Sequence, residues 1–66
     1  MNNKKLNNTI KDKGFKKQYI ALELGITPYC LAKKLNGENE FKVSEMVKLS
    51  NLLDLCEKEK NDIFFA

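Results

Sequence analysis

The sequence predicts an all-α protein: five short helices packed as one compact domain. Three observations carry this. Apolar residues recur three and four positions apart, as in Leu6–Ile10, Ile20–Leu24, Leu31–Leu35 and Val43–Met46–Leu49–Leu52. Gly14, Gly25 and Asn36-Gly37 follow the first three of these runs, where helices stop. No segment keeps the strict alternation of a half-buried strand.

Each element follows from local signals. The first helix is expected over Asn3–Lys13, with Leu6 and Ile10 on one face and Gly14 as its stop; Phe15 then anchors to the core. The second spans Lys17–Leu24, placing Ile20, Ala21 and Leu24 together, and Gly25 ends it. Ile26 turns inward. Thr27-Pro28 restarts the chain, because Thr caps a helix well and Pro at the first helical position sacrifices no hydrogen bond. The third helix runs Pro28–Leu35 and closes at Asn36-Gly37, residues tolerant of positive φ. After a polar loop at Glu38–Glu40, Phe41 returns to the core. Val43, Met46, Leu49, Leu52 and Leu53 then form the inward stripe of a fourth helix, about Val43–Leu53, with Leu55 beneath it. Lys58–Phe64 is expected as a last short helix or turn that brings Ile63 and one of Phe64 or Phe65 onto the core.

Composition narrows the function classes. A chain of 66 residues with 42% hydrophobic content is globular rather than disordered, but its core is small. No apolar run reaches the roughly 18 residues that span a bilayer, and the polar start is no signal peptide, so the expected location is cytoplasmic with no membrane partner. Cys30 and Cys56 stand apart and there is no histidine, which leaves no metal site and points to free thiols, Cys56 as a small packing residue. Histidine, clustered carboxylates and a glycine-rich phosphate loop are all missing, so no enzyme, cofactor or small-molecule substrate is expected. Charge is unevenly spread. Residues 1–36 hold eight lysines against Asp12 and Glu23, a net of +6, whereas residues 37–66 hold four lysines against seven acids, a net of −3. The first part carries the positive potential that attracts polyanions.

The most informative constellation is Ala21, Gly25, Ile26 and Leu31, flanked by Ile20, Leu24 and Leu35. Two helices crossing steeply through a short turn need a small residue at their close approach, a positive-φ residue in the turn, and apolar residues locking the angle. Ala21, Gly25 and the flanking aliphatics meet these needs. Any αα-hairpin requires some of them. The stretch Ile20-Ala21-Leu22-Glu23-Leu24-Gly25-Ile26-Thr27 resembles the helix-turn-helix core of the Cro/C1-type phage repressor family. Leu31-Ala32-Lys33-Lys34-Leu35-Asn36-Gly37, Phe41-Lys42-Val43-Ser44-Glu45-Met46 and the terminal Asp62-Ile63-Phe64-Phe65 are similar to short phage repressor-like proteins of that family. The resemblance spans roughly Gly14–Phe65. It implies a five-helix lambda-repressor-like domain covering residues 1–66, with its helix-turn-helix core at Lys16–Gly37. It further implies a third helix that enters the major groove of a double-stranded DNA operator, usually in a homodimer. The chain departs from the family at two points: Lys16 and Lys17 stand where Thr or Ser followed by Gln is usual, and there is no arginine to read guanine.

With Leu31 and Leu35 inward, the opposite face of the third helix displays Pro28, Tyr29, Ala32, Lys33 and Asn36. Thr27, Tyr29, Ala32 and Lys33 are the candidate base readers, through hydroxyl, aromatic edge, methyl and ammonium respectively. Thr27 serves equally as a helix cap, and Cys30 beside this face is either a contact or a packing residue. Lys16, Lys17, Lys34, Asn36 and Lys42 are the candidate phosphate contacts, although an exposed lysine often has no role. Val47, Leu52, Phe64 and Phe65 either form a dimer face or close the core. The competing function is a protein-binding module on the same fold, such as an anti-repressor or a phage inhibitor of a host protein, with Tyr29 as its anchor.

Overall fold

The computed structural model describes residues 1–65 and contains five helices: α1 (Asn3–Asp12), α2 (Lys17–Leu24), α3 (Pro28–Leu35), α4 (Val43–Leu52) and α5 (Glu57–Phe64). The all-α class expected from the periodicity is what folds, with no strand among the described residues. The domain measures 28 × 23 × 20 Å. α2 packs against α3 and α4, while α1 packs against α5 and α3, so α2 and α3 sit at one side of a shared core.

Starts and stops are written in local chemistry. The Asn2 side chain accepts the Lys5 N–H at 3.0 Å and caps α1; the Thr27 hydroxyl accepts the Cys30 N–H at 3.1 Å and caps α3. At the starts of α4 and α5 the third helical residue reaches back instead. Glu45 Oε1 accepts the Lys42 N–H at 2.8 Å, and Glu59 Oε1 accepts the Cys56 N–H at 3.2 Å.

The first four helices end alike. An N–H donates to the carbonyl five residues back, from Phe15 to Ile10, Ile26 to Ala21, Glu38 to Lys33 and Leu55 to Ser50. The residue before each donor has positive φ: Gly14, Gly25, Gly37 and, in the fourth case, Asp54 at 53°. This closure redirects the chain, and in three cases an apolar residue follows at once. Phe15 and Ile26 lie half-buried against the core and Leu55 is buried.

Leu6, Ile20, Ala21, Leu31, Leu49 and Ile63 are wholly removed from water, drawing every helix into one cluster. Polar ties brace it. Lys5 Nζ donates to Asp62 Oδ2 at 2.9 Å and the Asn2 N–H to the Ile63 carbonyl at 2.6 Å, joining the N-terminus to α5. Asn7 Nδ2 donates to the Leu35 carbonyl at 3.2 Å, joining α1 to the end of α3.

Several expectations are corrected. α1 ends at Asp12 and α4 at Leu52, each one residue early, with Lys13 and Leu53 as caps; the segment expected from Lys58 is a helix from Glu57. Val43 does not join the inward stripe and is 75% exposed. At about 100° per residue, Leu49 and Leu53 define the inward direction, Val43 falls on the flank with Val47, and Glu45 takes an inward place instead. Cys56 is exposed at the start of α5 rather than packed. Of the two terminal phenylalanines, Phe64 is buried and Phe65 lies 77% exposed.

Candidate functional site

Three residues set the angle between α2 and α3. Ala21 is buried and its carbonyl accepts the Ile26 N–H at 3.0 Å, Gly25 holds φ 72°, and Ile26 packs back on the core directly after the turn. Leu31 and Leu35 fasten α3 from below. The resulting pair of eight-residue helices is compatible with a helix-turn-helix.

Fastening α3 through Leu31 and Leu35 leaves Tyr29, Ala32 and Asn36 exposed on its other side, with Lys33 half-buried among them. Tyr29 is 69% exposed, and Lys33 Nζ lies 4.9 Å from the centre of its ring. This cation–π pair holds the two side chains together one helical turn apart. Thr27 is exposed at the start of the helix, its oxygen accepting the Cys30 N–H, and its hydroxyl donates to no described residue. Cys30 is half-buried beside this face.

The charges around this face are one-sided. Neither α2 nor α3 has an acid in its first turn, so the positive ends of both helix dipoles are uncompensated. Lys16 and Lys17 are exposed at the start of α2, and Lys42 is exposed before α4. Lys34 differs. It pairs with Glu45 of α4, the two side chains being only 11% and 8% exposed, and its ammonium also lies 5.8 Å from the centre of the Phe41 ring. Burial pushes the Glu45 carboxyl up, but the Lys34 ammonium, the Lys42 N–H and the charges of both lysines outweigh it and hold the group below its ordinary range. Glu45 is therefore a buried anion that locks Lys34 inward. Periodicity gave no sign of it, since a glutamate in an otherwise amphipathic helix reads as solvated.

Residues that the sequence pattern does not mark complete the surroundings. Gln18, Tyr19 and Leu22 join Lys16, Ile26 and Pro28 around an open groove of about 440 Å³ between α2 and the start of α3, with Leu22 75% exposed. Phe15 stacks on Tyr19 at 6.2 Å between ring centres. On the far side, Val43, Val47, Phe64 and Phe65 line an apolar groove of about 220 Å³ between α4 and α5. Leu52 lies half-buried against the core and does not line that groove. Among the described residues, no three His, Cys, Asp or Glu side chains gather where they could hold a metal ion, and no helix is long and apolar enough to cross a membrane. The chain matches no protein-family model, no curated protein and no solved structure.

Proposed function

We propose that the chain is a sequence-specific double-stranded-DNA-binding transcriptional regulator of the short phage repressor type, which inserts α3 into the major groove. The observation that carries the reading is the outward face of α3. Exposed Tyr29 and half-buried Lys33 stand paired there, with Ala32 and Asn36 alongside and Lys16 and Lys17 nearby at the start of α2. An exposed tyrosine held by a lysine has little structural purpose, and an aromatic edge beside an ammonium suits base edges. Thr27, Tyr29, Ala32 and Lys33 read bases in this proposal. Lys16, Lys17, Asn36 and Lys42 hold phosphates. Lys34 acts indirectly, because its ammonium is committed to Glu45 and bracing α3 is what remains to it.

A single module of this size buries only about 600–1,000 Å² on DNA, so specific binding gains from a second copy. The exposed Val43, Val47 and Phe65 supply an apolar surface for a homodimer, on a different side of α4 from the Lys34 pair. A second reading is a protein-interaction module, favoured by the apolar groove at Tyr19, Leu22, Ile26 and Pro28.

Selection from a random duplex pool at moderate salt separates the two. The DNA reading expects one enriched site. Tyr29→Ala then abolishes the preference without moving the thermal midpoint, and Lys17→Ala weakens binding to every duplex alike. A pool that yields no enriched site defeats the DNA reading, and a sedimenting mass of one chain at working concentration defeats the dimer.

A further inference from the structure

A polar groove opens where α1 passes the far end of α3. It has a volume of about 440 Å³ and is lined by Asn8 and Lys11 of α1, Lys17 of α2 and Asn36 just beyond α3, over a floor that includes Ile10 and Phe15. No acid lines it. Asn7, at its edge, donates to the Asn3 carbonyl within α1 and to the Leu35 carbonyl, so both its N–H donors are occupied, one of them in holding α1 to α3. The other polar side chains are not. Asn8, Lys11, Lys17 and Asn36 are exposed, and none makes a side-chain hydrogen bond or ion pair among the described residues. Two ammonium groups and two carboxamides from three separate elements thus surround one concavity with every donor available.

We infer that this groove is a phosphodiester-binding site, which clamps the DNA backbone beside the bases read by α3. The inference rests on the DNA reading proposed above and adds Lys11 and Asn8 to it. Its geometry follows from α3 itself. Tyr29 and Asn36 lie seven residues apart, about 10 Å along the helix axis at about 1.5 Å per residue. The major groove is about 12 Å wide. When the start of α3 lies on base edges, its far end reaches the groove wall, where the phosphates run. Asn36 belongs both to the outward face of α3 and to this concavity, so a backbone strand leaving the bases passes directly over Lys17 and Lys11. Two cations and two amide donors with no competing carboxylate suit a phosphodiester, which offers only acceptors. Holding the backbone from α1 as well as α2 also fixes how deeply and at what angle α3 sits, because α1 and α3 are joined by the Asn7 bond.

The test uses the full chain and the duplex enriched by selection, with Lys11→Gln and a control, Lys58→Gln on the exposed face of α5. A phosphate contact adds about 0.9 to the slope of log affinity against log salt. Lys11→Gln is expected to lower that slope by about this amount, so that affinity lost between about 50 and about 200 mM salt shrinks by about 3.5-fold. Selected and random duplexes weaken by the same factor, and ethylating the phosphate at the end of the site no longer interferes with binding. Lys58→Gln changes none of these. An unchanged slope and an unchanged ethylation pattern in Lys11→Gln, with selective binding intact, overturn the groove and leave the reading of α3 standing. A wild-type chain that selects no duplex overturns both.

Discussion

Glu45→Gln tests the least expected feature of the structure. The substitution keeps the shape of the side chain and an acceptor for the Lys42 N–H, but removes the charge that faces Lys34. Lys34 is then left as a buried cation without its anion. Deleting one partner of a buried pair costs about 3–5 kcal/mol; the lower figure applies, because a lysine stem extends and carries part of its charge toward water. Stability of about 0.05–0.15 kcal/mol per residue amounts to about 3–10 kcal/mol for 66 residues, so this single change removes a large share of it. An unfolding entropy of about 2.1 cal/mol/K per residue gives about 0.14 kcal/mol/K, and about 3 kcal/mol therefore lowers the thermal midpoint by about 20 °C. Thermal melts followed by far-ultraviolet circular dichroism, together with urea titrations at neutral pH, read the change. Adding Lys34→Met removes the stranded charge, so the double variant is expected to recover at least half of the loss. The reasoning is refuted if Glu45→Gln costs less than about 1 kcal/mol, the value of an exposed pair. It is refuted equally if the two substitutions simply add.

Two further predictions concern backbone strain and pH. Gly25→Ala meets no steric obstacle, since nothing lies within 4 Å of the added methyl, so its cost is the strain of an L-residue at φ 72°. The expected loss is about 1 kcal/mol in urea titration, with the helical spectrum retained; an unchanged or raised midpoint contradicts the role assigned to the turn. On acidification, the Lys5 ammonium holds the Asp62 carboxyl below its ordinary range, and Glu45 is depressed as well. A carboxyl depressed in the folded state contributes stability that is complete above its unfolded value and is lost as pH falls through the folded one. Melts between neutral and acidic pH are expected to fall through the carboxylate range, with Asp62→Asn flattening part of that fall. An acid limb identical in wild type and Asp62→Asn shows that the tie between α1 and α5 does not contribute.

The bounds of α2 and α3 were legible in the linear chain because their signals are local. Gly25 ends one helix, Thr27-Pro28 begins the next, and Asn36-Gly37 closes it, each acting within a few residues of backbone. The outward face of α3 was legible for the same reason: once Leu31 and Leu35 are inward, helical periodicity leaves Tyr29, Ala32 and Asn36 outside. Lys34 was not. Its neighbours in sequence mark it as a surface cation, and only Glu45, eleven residues later on another helix, turns it inward. The same partner explains Val43. A count of apolar residues assigns that valine to the core stripe, but the register that seats Leu49, Leu53 and Glu45 carries it to the flank. Gln18 and Lys11 were passed over because nothing near them in sequence distinguishes them; each acquires meaning from the groove it lines.

The sequence by itself therefore determined an all-α chain of short helices, their main stops, and which side of α3 is apolar, since these depend on backbone preference and periodicity within a turn or two. Tertiary structure alone decided which charges are buried, which of two adjacent phenylalanines closes the core, and which cations converge on a common groove. Those outcomes depend on the relative placement of helices far apart in the chain. A buried charge is tolerated only where a partner meets it, and that partner is found by packing rather than by proximity in sequence.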